Sequence, residues 1–133
     1  MPESPTAHGF GRVLVAVYAV FALAATARSI VQITERFDEA PVAYLLSAFA
    51  GVVYIVATIG LARPGRTSTR VALVAIVIEA LGVLVVGTLS VVDSELFPDA
   101  TVWSDFGRGY GYVPLVLPWV GLWWVLRGHR GKS

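Results

Sequence analysis

Three long apolar stretches divide the chain, at residues 13–33, 42–62 and 71–92. Each is about 20 residues long, and a helix of that length, rising about 1.5 Å per residue, crosses the roughly 30 Å hydrocarbon core of a bilayer. The apolar residues follow one another without alternating with polar ones, which favours helices over the strands of a membrane barrel. The pattern therefore predicts an all-α protein in which at least three helices span a membrane.

A fourth apolar run, at residues 113–126, is too short to cross a bilayer alone, because its helix would cover only about 21 Å. We therefore expect this helix to begin earlier, giving a span at about residues 107–126 and an outer loop at residues 93–106. Its first turns would contain three glycines, Gly107, Gly109 and Gly111. Pro114 and Pro118 each remove a backbone donor, so the fourth helix is predicted to be irregular. The complete prediction is a transmembrane four-helix bundle.

Basic and acidic residues collect on opposite sides of the predicted spans. Basic residues precede the first span, fill the second connection and follow the last span: Arg12, Arg63, Arg66, Arg70, Arg127, Arg130 and Lys132. The other two connections are mainly acidic, with Glu35, Asp38, Glu39, Asp93, Glu95, Asp99 and Asp105 against Arg36 and Arg108. Because Lys and Arg near span ends remain on the cytoplasmic side, we expect a multi-pass protein of the plasma membrane with both termini cytoplasmic.

Aromatic residues lie close to the ends of the predicted spans. The outer loop contains the large apolar residues Leu96, Phe97, Val102, Trp103 and Phe106. We expect them at the outer membrane interface, where aromatic side chains concentrate, with Trp123 and Trp124 forming the matching belt on the inner side.

Composition narrows the classes of function that the chain can perform. Of its 133 residues, 56% are hydrophobic and only 14% are charged, and the formal net charge of +1 leaves no basic excess for nucleic acid. The chain contains no cysteine and only two histidines, His8 and His129, so it offers no thiolate ligand and no histidine-based metal site. Walker, GxSxG and HExxH signatures are also absent from the sequence. We therefore expect a non-enzymatic protein with no cofactor, no metal and no nucleic-acid partner, surrounded by the lipid bilayer.

The first apolar stretch also resembles a secretory signal peptide. Arg12 precedes the apolar run at residues 13–24, and the small residues Ala25-Thr26-Ala27 resemble a cleavage site. The apolar pattern continues through Ile33, beyond the length of an ordinary signal core, which favours a retained span. Cleavage of residues 1–27 stays open, and it would leave the orientation of the other three spans unchanged.

Small and polar residues recur every three or four positions on each predicted span. They are Tyr18, Ala22, Ala25, Arg28 or Ser29, Gln32 and Glu35 on the first span; Tyr44, Ser47, Gly51, Tyr54 and Thr58 on the second; Ala72, Ala75, Glu79, Gly82, Val86 and Ser90 on the third; and Gly111, Pro114, Pro118 and Gly121 on the fourth. Membrane helices pack through such faces because lipid provides no hydrophobic force between helices. We expect these faces to meet inside the bundle, either as ordinary helix packing or as a solvated path for a substrate.

One acidic residue, Glu79, lies inside the third span. It follows Arg70 by nine residues, about 13 Å along a helix, which places it near the middle of the hydrocarbon. An acid at that depth costs about 2.5 to 3.5 kcal/mol to insert, so we expect it to be protonated or to have hydrogen-bond partners. Tyr54 and Trp119 lie at a similar depth and are the predicted donors. Glu79 is then either a proton or cation site or a neutral group whose hydrogen bonds hold helices together.

A second polar cluster is predicted near the outer ends of the first two spans. Arg28 lies level with Ser47, and Gln32 follows Arg28 by about one helical turn. The expected partners of Arg28 are Gln32 and the acidic outer loops, and the alternative is an arginine that reaches lipid headgroups. Arg28 is too far from Glu79 for a direct pair, since the two differ by about 10 Å in depth.

Several local sequences carry a resemblance to a known group of proteins. They are Ala27-Arg28-Ser29 with Gln32; Ala40-Pro41-Val42-Ala43-Tyr44-Leu45-Leu46-Ser47; Leu96-Phe97-Pro98-Asp99-Ala100-Thr101-Val102-Trp103-Ser104; and Gly109-Tyr110-Gly111. Together they resemble a family of small four-span membrane proteins from actinobacteria that are known only as integral membrane proteins. The predominance of arginine over lysine also fits a GC-rich genome. The resemblance implies the same four-span architecture and carries no catalytic or binding residue.

Two functional hypotheses follow from these observations. The first is an accessory or scaffold subunit, acting as a homo-oligomer or within a larger membrane complex, because recognisable catalytic chemistry is absent and the prolines of the fourth helix need covering neighbours. The alternative is a small proton- or cation-coupled transporter that uses Glu79, with Tyr54 and Trp119 lining its site. An enzyme that acts on lipid through charged residues of the outer loop is the least favoured interpretation.

Overall fold

The described residues include four α-helices and two shorter helical segments. The computed structural model describes the backbone of residues 5–39, 41–93, 95, 101 and 103–132, and the side chains of residues 9–35, 38–39, 41–93, 95, 101 and 103–127. The helices are α1 (Pro5–Arg36), α2 (Pro41–Ala62), α3 (Arg66–Val92) and α4 (Val113–Lys132), with a 3₁₀ turn at Phe37–Glu39 and a 3₁₀ segment at Ser104–Tyr110. No strand occurs among these residues, so the all-α prediction is confirmed for the described chain.

Among the residues that the structure describes, three helices are long and apolar enough to cross a membrane: Gly9–Glu35 within α1, Pro41–Ala62 and Arg66–Val92. They coincide with the three long apolar stretches of the sequence, although α1 begins well before residue 13. A fourth crossing arises only if Ser104–Tyr110 and Val113–Arg127, which are bent by 95° relative to each other, together form one broken span. The protein therefore has the helices of a multi-pass membrane protein with three or four crossings.

The fourth helix begins later than the sequence pattern predicted. Residues 107–112 do not continue it, because Gly107 (φ 84°), Gly111 (φ 66°) and Tyr112 (φ 61°) adopt left-handed backbone conformations. A left-handed residue cannot extend a right-handed helix, so α4 starts at Val113 and not at residue 107. The predicted irregularity therefore takes the form of a sharp break before the helix.

The buried prolines of α4 show how the bundle accommodates this helix. Pro114 and Pro118 have almost no exposed surface, and Pro118 lies inside the helix, where it offers no N–H to the preceding turn. A Cβ added to Gly107 would lie 2.7 Å from the Pro114 ring, so the break packs directly against the first turn of α4. Neighbouring segments thus cover the prolines, as the sequence analysis expected.

The two ends of the bundle differ in what they contain. At one end, Phe10 near the start of α1 packs against Trp123 and Trp124 of α4, with ring centroids 6.0 and 5.2 Å apart. We call this the terminal end, and the antiparallel course of the helices places the α2–α3 turn there as well. The opposite end, called the loop end, holds the α1–α2 connection and the 3₁₀ segment Ser104–Tyr110.

The core lies along the predicted small and polar faces of the helices. Most residues of these faces are buried, and the exposed exceptions are Glu35 and Gly111. A Cβ at Gly51 would lie 3.0 Å from the Thr26 hydroxyl, and a Cβ at Gly60 would lie 2.8 Å from the Ala72 backbone nitrogen. Such close approaches of helix backbones require glycine, as is typical of helix packing in membranes. The remaining helix faces expose large aliphatic side chains toward the surroundings.

Candidate functional site

Glu79 is fully enclosed at the centre of the bundle. It lies midway along α3, equidistant from Arg66 and Val92, and has 0% of its surface exposed. The Tyr18 hydroxyl of α1 donates a 2.6 Å hydrogen bond to Glu79 Oε1. Within the described part of the chain, Glu79 Oε2 has no hydrogen-bond partner.

Neither protonation state of Glu79 is fully satisfied by these contacts. An ionised carboxylate would lack a donor for Oε2, and a carboxylic acid protonated on Oε2 would lack an acceptor for its proton. A buried polar atom without a partner costs about 1 to 3 kcal/mol, and more when it carries charge. Glu79 therefore lowers the stability of the bundle, and a residue that served only helix packing would not require this loss.

Four aromatic side chains pack together beside the hydrogen bond between Tyr18 and Glu79. Tyr18, Phe21, Tyr54 and Trp103 form the aromatic cluster: the centroid of the Tyr54 ring lies 6.0 Å from Tyr18, 5.6 Å from Phe21 and 6.1 Å from Trp103. Tyr54 and Trp103 are fully buried, and the Trp103 indole N–H donates a 2.9 Å hydrogen bond to the Tyr54 hydroxyl. Helices α1 and α2 and the segment before α4 thus meet beside Glu79.

The hydrogen-bond donor to Glu79 differs from the predicted pair. Tyr54 lies in the aromatic cluster, but its hydroxyl accepts from Trp103 and makes no hydrogen bond with Glu79. Trp119 has 47% of its surface exposed on α4 and donates to neither oxygen of Glu79. The actual donor is Tyr18, which belongs to the small and polar face predicted for the first span. The sequence pattern therefore predicted that Tyr18 faces the interior, but not that it contacts Glu79. Depth alone did not identify which helix faces point at α3.

Trp103 lies inside the protein and not at the outer interface where the sequence analysis expected it. A Cβ added to Gly82 would lie 2.5 Å from the Trp103 ring, so the indole fills a notch in α3 one turn from Glu79. Phe106 is half-buried and fills a second notch, at Gly87. Leu96, Phe97 and Val102, predicted at the same interface, lie outside the described residues.

We call Thr101 together with residues 103–110 the plug segment, because two of its aromatic rings enter the bundle. Asp105, Phe106 and Gly107 adopt consecutive left-handed conformations, with φ values of 51°, 60° and 84°. For a residue other than glycine this conformation costs roughly 1 to 2 kcal/mol. Local hydrogen bonds offset the strain: the Ser104 hydroxyl accepts from the Thr101 N–H at 2.8 Å, and the Ser90 hydroxyl accepts from the Asp105 N–H at 2.7 Å. Strain of this kind concentrates at functional sites.

A polar pocket of about 630 Å³ opens at the loop end. It is lined by Arg28, Thr101, Ser104, Asp105, Arg108, Gly109 and Tyr110. Arg28 donates a 3.2 Å hydrogen bond to the Tyr110 hydroxyl, and the Tyr110 ring contacts Phe21 of the aromatic cluster at 5.6 Å between centroids. Tyr110 therefore connects the loop-end pocket to the aromatic cluster.

The predicted cluster of Arg28, Gln32 and Ser47 does not form as a hydrogen-bonded unit. Arg28 turns toward Tyr110 of the plug segment, which the sequence analysis did not consider. Gln32 Oε1 and Ser47 Oγ are both buried and have no hydrogen-bond partner among the described residues. Counting along the helices placed these residues at a similar depth in the membrane. The partner of Arg28 is instead determined by the position of the plug segment, which contains Tyr110.

An apolar groove of about 410 Å³ lies between α2 and α3. Its lining includes Phe49, Val52 and Val56 of α2 and Val74 and Ile78 of α3, with Arg70 toward the terminal end. The groove faces the surroundings of the bundle and not Glu79.

Neither a metal-binding cluster among the described residues nor a matching protein assigns a chemistry to the site. Within the described residues, no group of three or more histidine, aspartate or glutamate side chains could hold a metal ion. No protein-family model, curated protein or solved structure matches the chain.

Proposed function

We propose that the chain is a non-enzymatic, multi-pass protein of the plasma membrane that acts as a small proton- or cation-coupled transporter, with Glu79 as the coupling carboxyl group. The observation that supports this function is the unpartnered Oε2 of a carboxyl group that is fully buried at the middle of a membrane span. Ionisable groups at that depth belong, by default, to ion or proton pathways.

The geometry around Glu79 suits a group that exchanges a proton or a small cation. Tyr18 holds one carboxyl oxygen in place through its 2.6 Å hydrogen bond, and the other oxygen is buried without a partner among the described residues. A residue that only joined helices would be expected to have both oxygens satisfied, as most buried polar atoms do. A proton or cation on Oε2 would neutralise the charge, and so remove the largest part of the cost of burying the carboxylate.

The distribution of charge supports the proposed orientation. Arg12, Arg63, Arg66, Arg70 and Arg127 lie at or near the terminal end of the bundle. Acidic residues dominate the loop end, with Asp38, Glu39, Asp93, Glu95 and Asp105. By the positive-inside rule, the terminal end and both termini would face the cytoplasm, and the loop-end pocket would face outward.

Proton movement in reconstituted vesicles tests this function. The purified protein is incorporated into liposomes that contain a pH-sensitive dye, and sodium, potassium or a lipophilic cation is applied as a gradient. We expect at least one gradient to drive proton flux above that of protein-free liposomes. Glu79→Gln should reduce this flux to background, because glutamine keeps hydrogen bonding and cannot titrate.

Glu95→Gln serves as the matched control, since Glu95 is exposed at the loop end and should be dispensable for flux. Glu79→Asp, which keeps the titratable group, should retain part of the activity. Wild-type flux equal to protein-free liposomes under all three gradients, or full flux in the Glu79→Gln variant, would contradict the transporter function.

A second candidate, an accessory subunit or homo-oligomer, is favoured by the apolar groove between α2 and α3. A groove of about 410 Å³ on the surface of a membrane helix pair can accept side chains of another helix. Mild-detergent purification from the native host should then yield a stoichiometric partner or a defined oligomer.

The groove itself can be tested with two matched substitutions on α3. Val74→Trp would fill the groove, whereas Val85→Trp adds the same ring at an exposed position outside it. In the accessory-subunit interpretation, only Val74→Trp should release the partner. A monomer without a stoichiometric partner, or equal effects of the two variants, would count against this candidate.

A further inference from the structure

The loop-end pocket brings together charged groups of both signs that do not pair with one another. Arg28, Arg108 and Asp105 all line the same space of about 630 Å³. None of the three forms an ion pair with another described residue, although Arg28 donates to the Tyr110 hydroxyl at 3.2 Å. Within the described chain, the only side-chain hydrogen bond to the Asp105 carboxylate is a long one of 3.5 Å from the Ser90 hydroxyl.

The main chain that carries Asp105 is held against α3. Asp105 is the first of three consecutive left-handed residues, and its N–H is bound at 2.7 Å by the Ser90 hydroxyl of α3. Phe106, which follows it, is seated in the notch at Gly87. The main chain at Asp105 is thus anchored to α3, and the guanidinium group of Arg28 on α1 is held by its hydrogen bond to the Tyr110 hydroxyl. Two guanidinium groups and one carboxylate thus line one pocket without forming an ion pair with one another.

We propose that this pocket binds a small zwitterion, with its oxyanion held by Arg28 and Arg108 and its ammonium group held by Asp105. Guanidinium groups match the geometry of phosphate oxygens, and a carboxylate is the natural acceptor for an ammonium group. A pocket of this volume lies in the range that holds small ligands. The phosphoethanolamine group has this chemistry, whether it is a lipid headgroup or a soluble compound. The site does not depend on transport through Glu79.

Binding of soluble phosphoethanolamine to the detergent-purified protein tests the proposal by calorimetry. Inorganic phosphate, which lacks the ammonium group, and phosphocholine, whose quaternary ammonium cannot donate a hydrogen bond, are the comparison ligands. We expect phosphoethanolamine to bind more tightly than either. Equal or weaker binding of phosphoethanolamine relative to phosphate would overturn the assignment of Asp105.

Two substitutions distinguish the contribution of the basic groups of the pocket from that of the acidic group. Arg108→Gln should weaken all three ligands by about tenfold or more, the effect of losing a charged hydrogen bond. Asp105→Asn should weaken phosphoethanolamine to a similar degree while leaving phosphate binding unchanged or tighter, since a negative charge is removed. Asparagine tolerates left-handed backbone better than most residues, so this variant should keep the plug segment folded.

Matched controls are Arg63→Gln and Glu95→Gln, which remove the same charges from exposed positions outside the pocket and should leave binding unchanged. A second arm compares thermal unfolding in nanodiscs made of phosphatidylcholine alone or with added phosphatidylethanolamine or phosphatidylglycerol. Stabilisation by phosphatidylethanolamine that Asp105→Asn abolishes identifies the lipid headgroup as the ligand, while binding confined to the soluble compound identifies a soluble ligand. Absence of binding in both arms, or unchanged binding in both pocket variants, would overturn the proposal.

Discussion

The Trp103 indole N–H donates a 2.9 Å hydrogen bond to the Tyr54 hydroxyl, joining residues that are 49 positions apart in the chain. Trp103 belongs to the segment between α3 and α4, whereas Tyr54 lies on the buried face of α2. The contact draws the plug segment into the bundle and places an indole ring beside the turn of α3 that carries Glu79. The interior of the protein is therefore built by this segment as much as by the helices.

The first prediction concerns the notch that receives Trp103. Gly82→Ala should destabilise the protein and expose Trp103, because the new Cβ would lie 2.5 Å from the indole ring. The emission of Trp103 is obtained by subtracting the spectrum of the Trp103→Phe variant. In Gly82→Ala this emission should shift to longer wavelength as the ring becomes hydrated. Gly9→Ala is the control, since no atom lies within 4 Å of its Cβ and alanine favours the helix. An unchanged emission spectrum and stability in Gly82→Ala would show that Trp103 does not occupy the notch.

The second prediction concerns the hydrogen bond between Tyr18 and Glu79. Tyr18→Phe should lower the free energy of unfolding by about 1 to 3 kcal/mol, because it leaves the buried carboxyl group without its donor. The double variant Tyr18→Phe with Glu79→Leu should recover much of this loss, since it removes both polar partners together. Unfolding in mild detergent measures both variants. Additive effects of the two substitutions would mean that the residues do not interact.

The third prediction concerns the break before α4. Gly107→Ala should destabilise the protein by about 1 to 2 kcal/mol or more, because the position has a φ of 84° and its Cβ would lie 2.7 Å from Pro114. Gly109→Ala, two residues away with open space around its Cβ, should have little effect. Thermal unfolding of the two variants provides the comparison. Equal stability of the two would indicate that residue 107 does not need a left-handed conformation.

The fourth prediction concerns orientation in the membrane. The chain has no cysteine, so Arg63→Cys and Glu95→Cys each introduce a single thiol, at the terminal end and the loop end respectively. A membrane-impermeant maleimide should label Glu95→Cys in intact cells and Arg63→Cys only after permeabilisation, because basic ends remain cytoplasmic. The reverse labelling pattern would place the termini outside the cell and turn the loop-end pocket toward the cytoplasm.

The sequence by itself determined the helical class, the three long spans and the faces that pack inside. These features depend on local patterns: apolar runs long enough to cross a bilayer, and small or polar residues repeating at helical spacing. The position of Glu79 midway along its span follows from the same counting, as does the burial of Tyr54. The irregularity of the fourth helix could also be predicted from the sequence, because proline and glycine change the conformations allowed to the backbone at their own positions.

Only the tertiary structure decided the contacts of the candidate site. Counting along a helix gives depth but not rotation relative to the other helices, so Trp119 proved half-exposed and Tyr18 proved to be the donor to Glu79. The path of the plug segment depends on left-handed residues at 105–107, on the notch at Gly82 and on a partner far away on α2. No sequence period encodes such contacts, because they arise from chain segments that meet only after the helices have packed. The same meeting of distant segments creates the loop-end pocket.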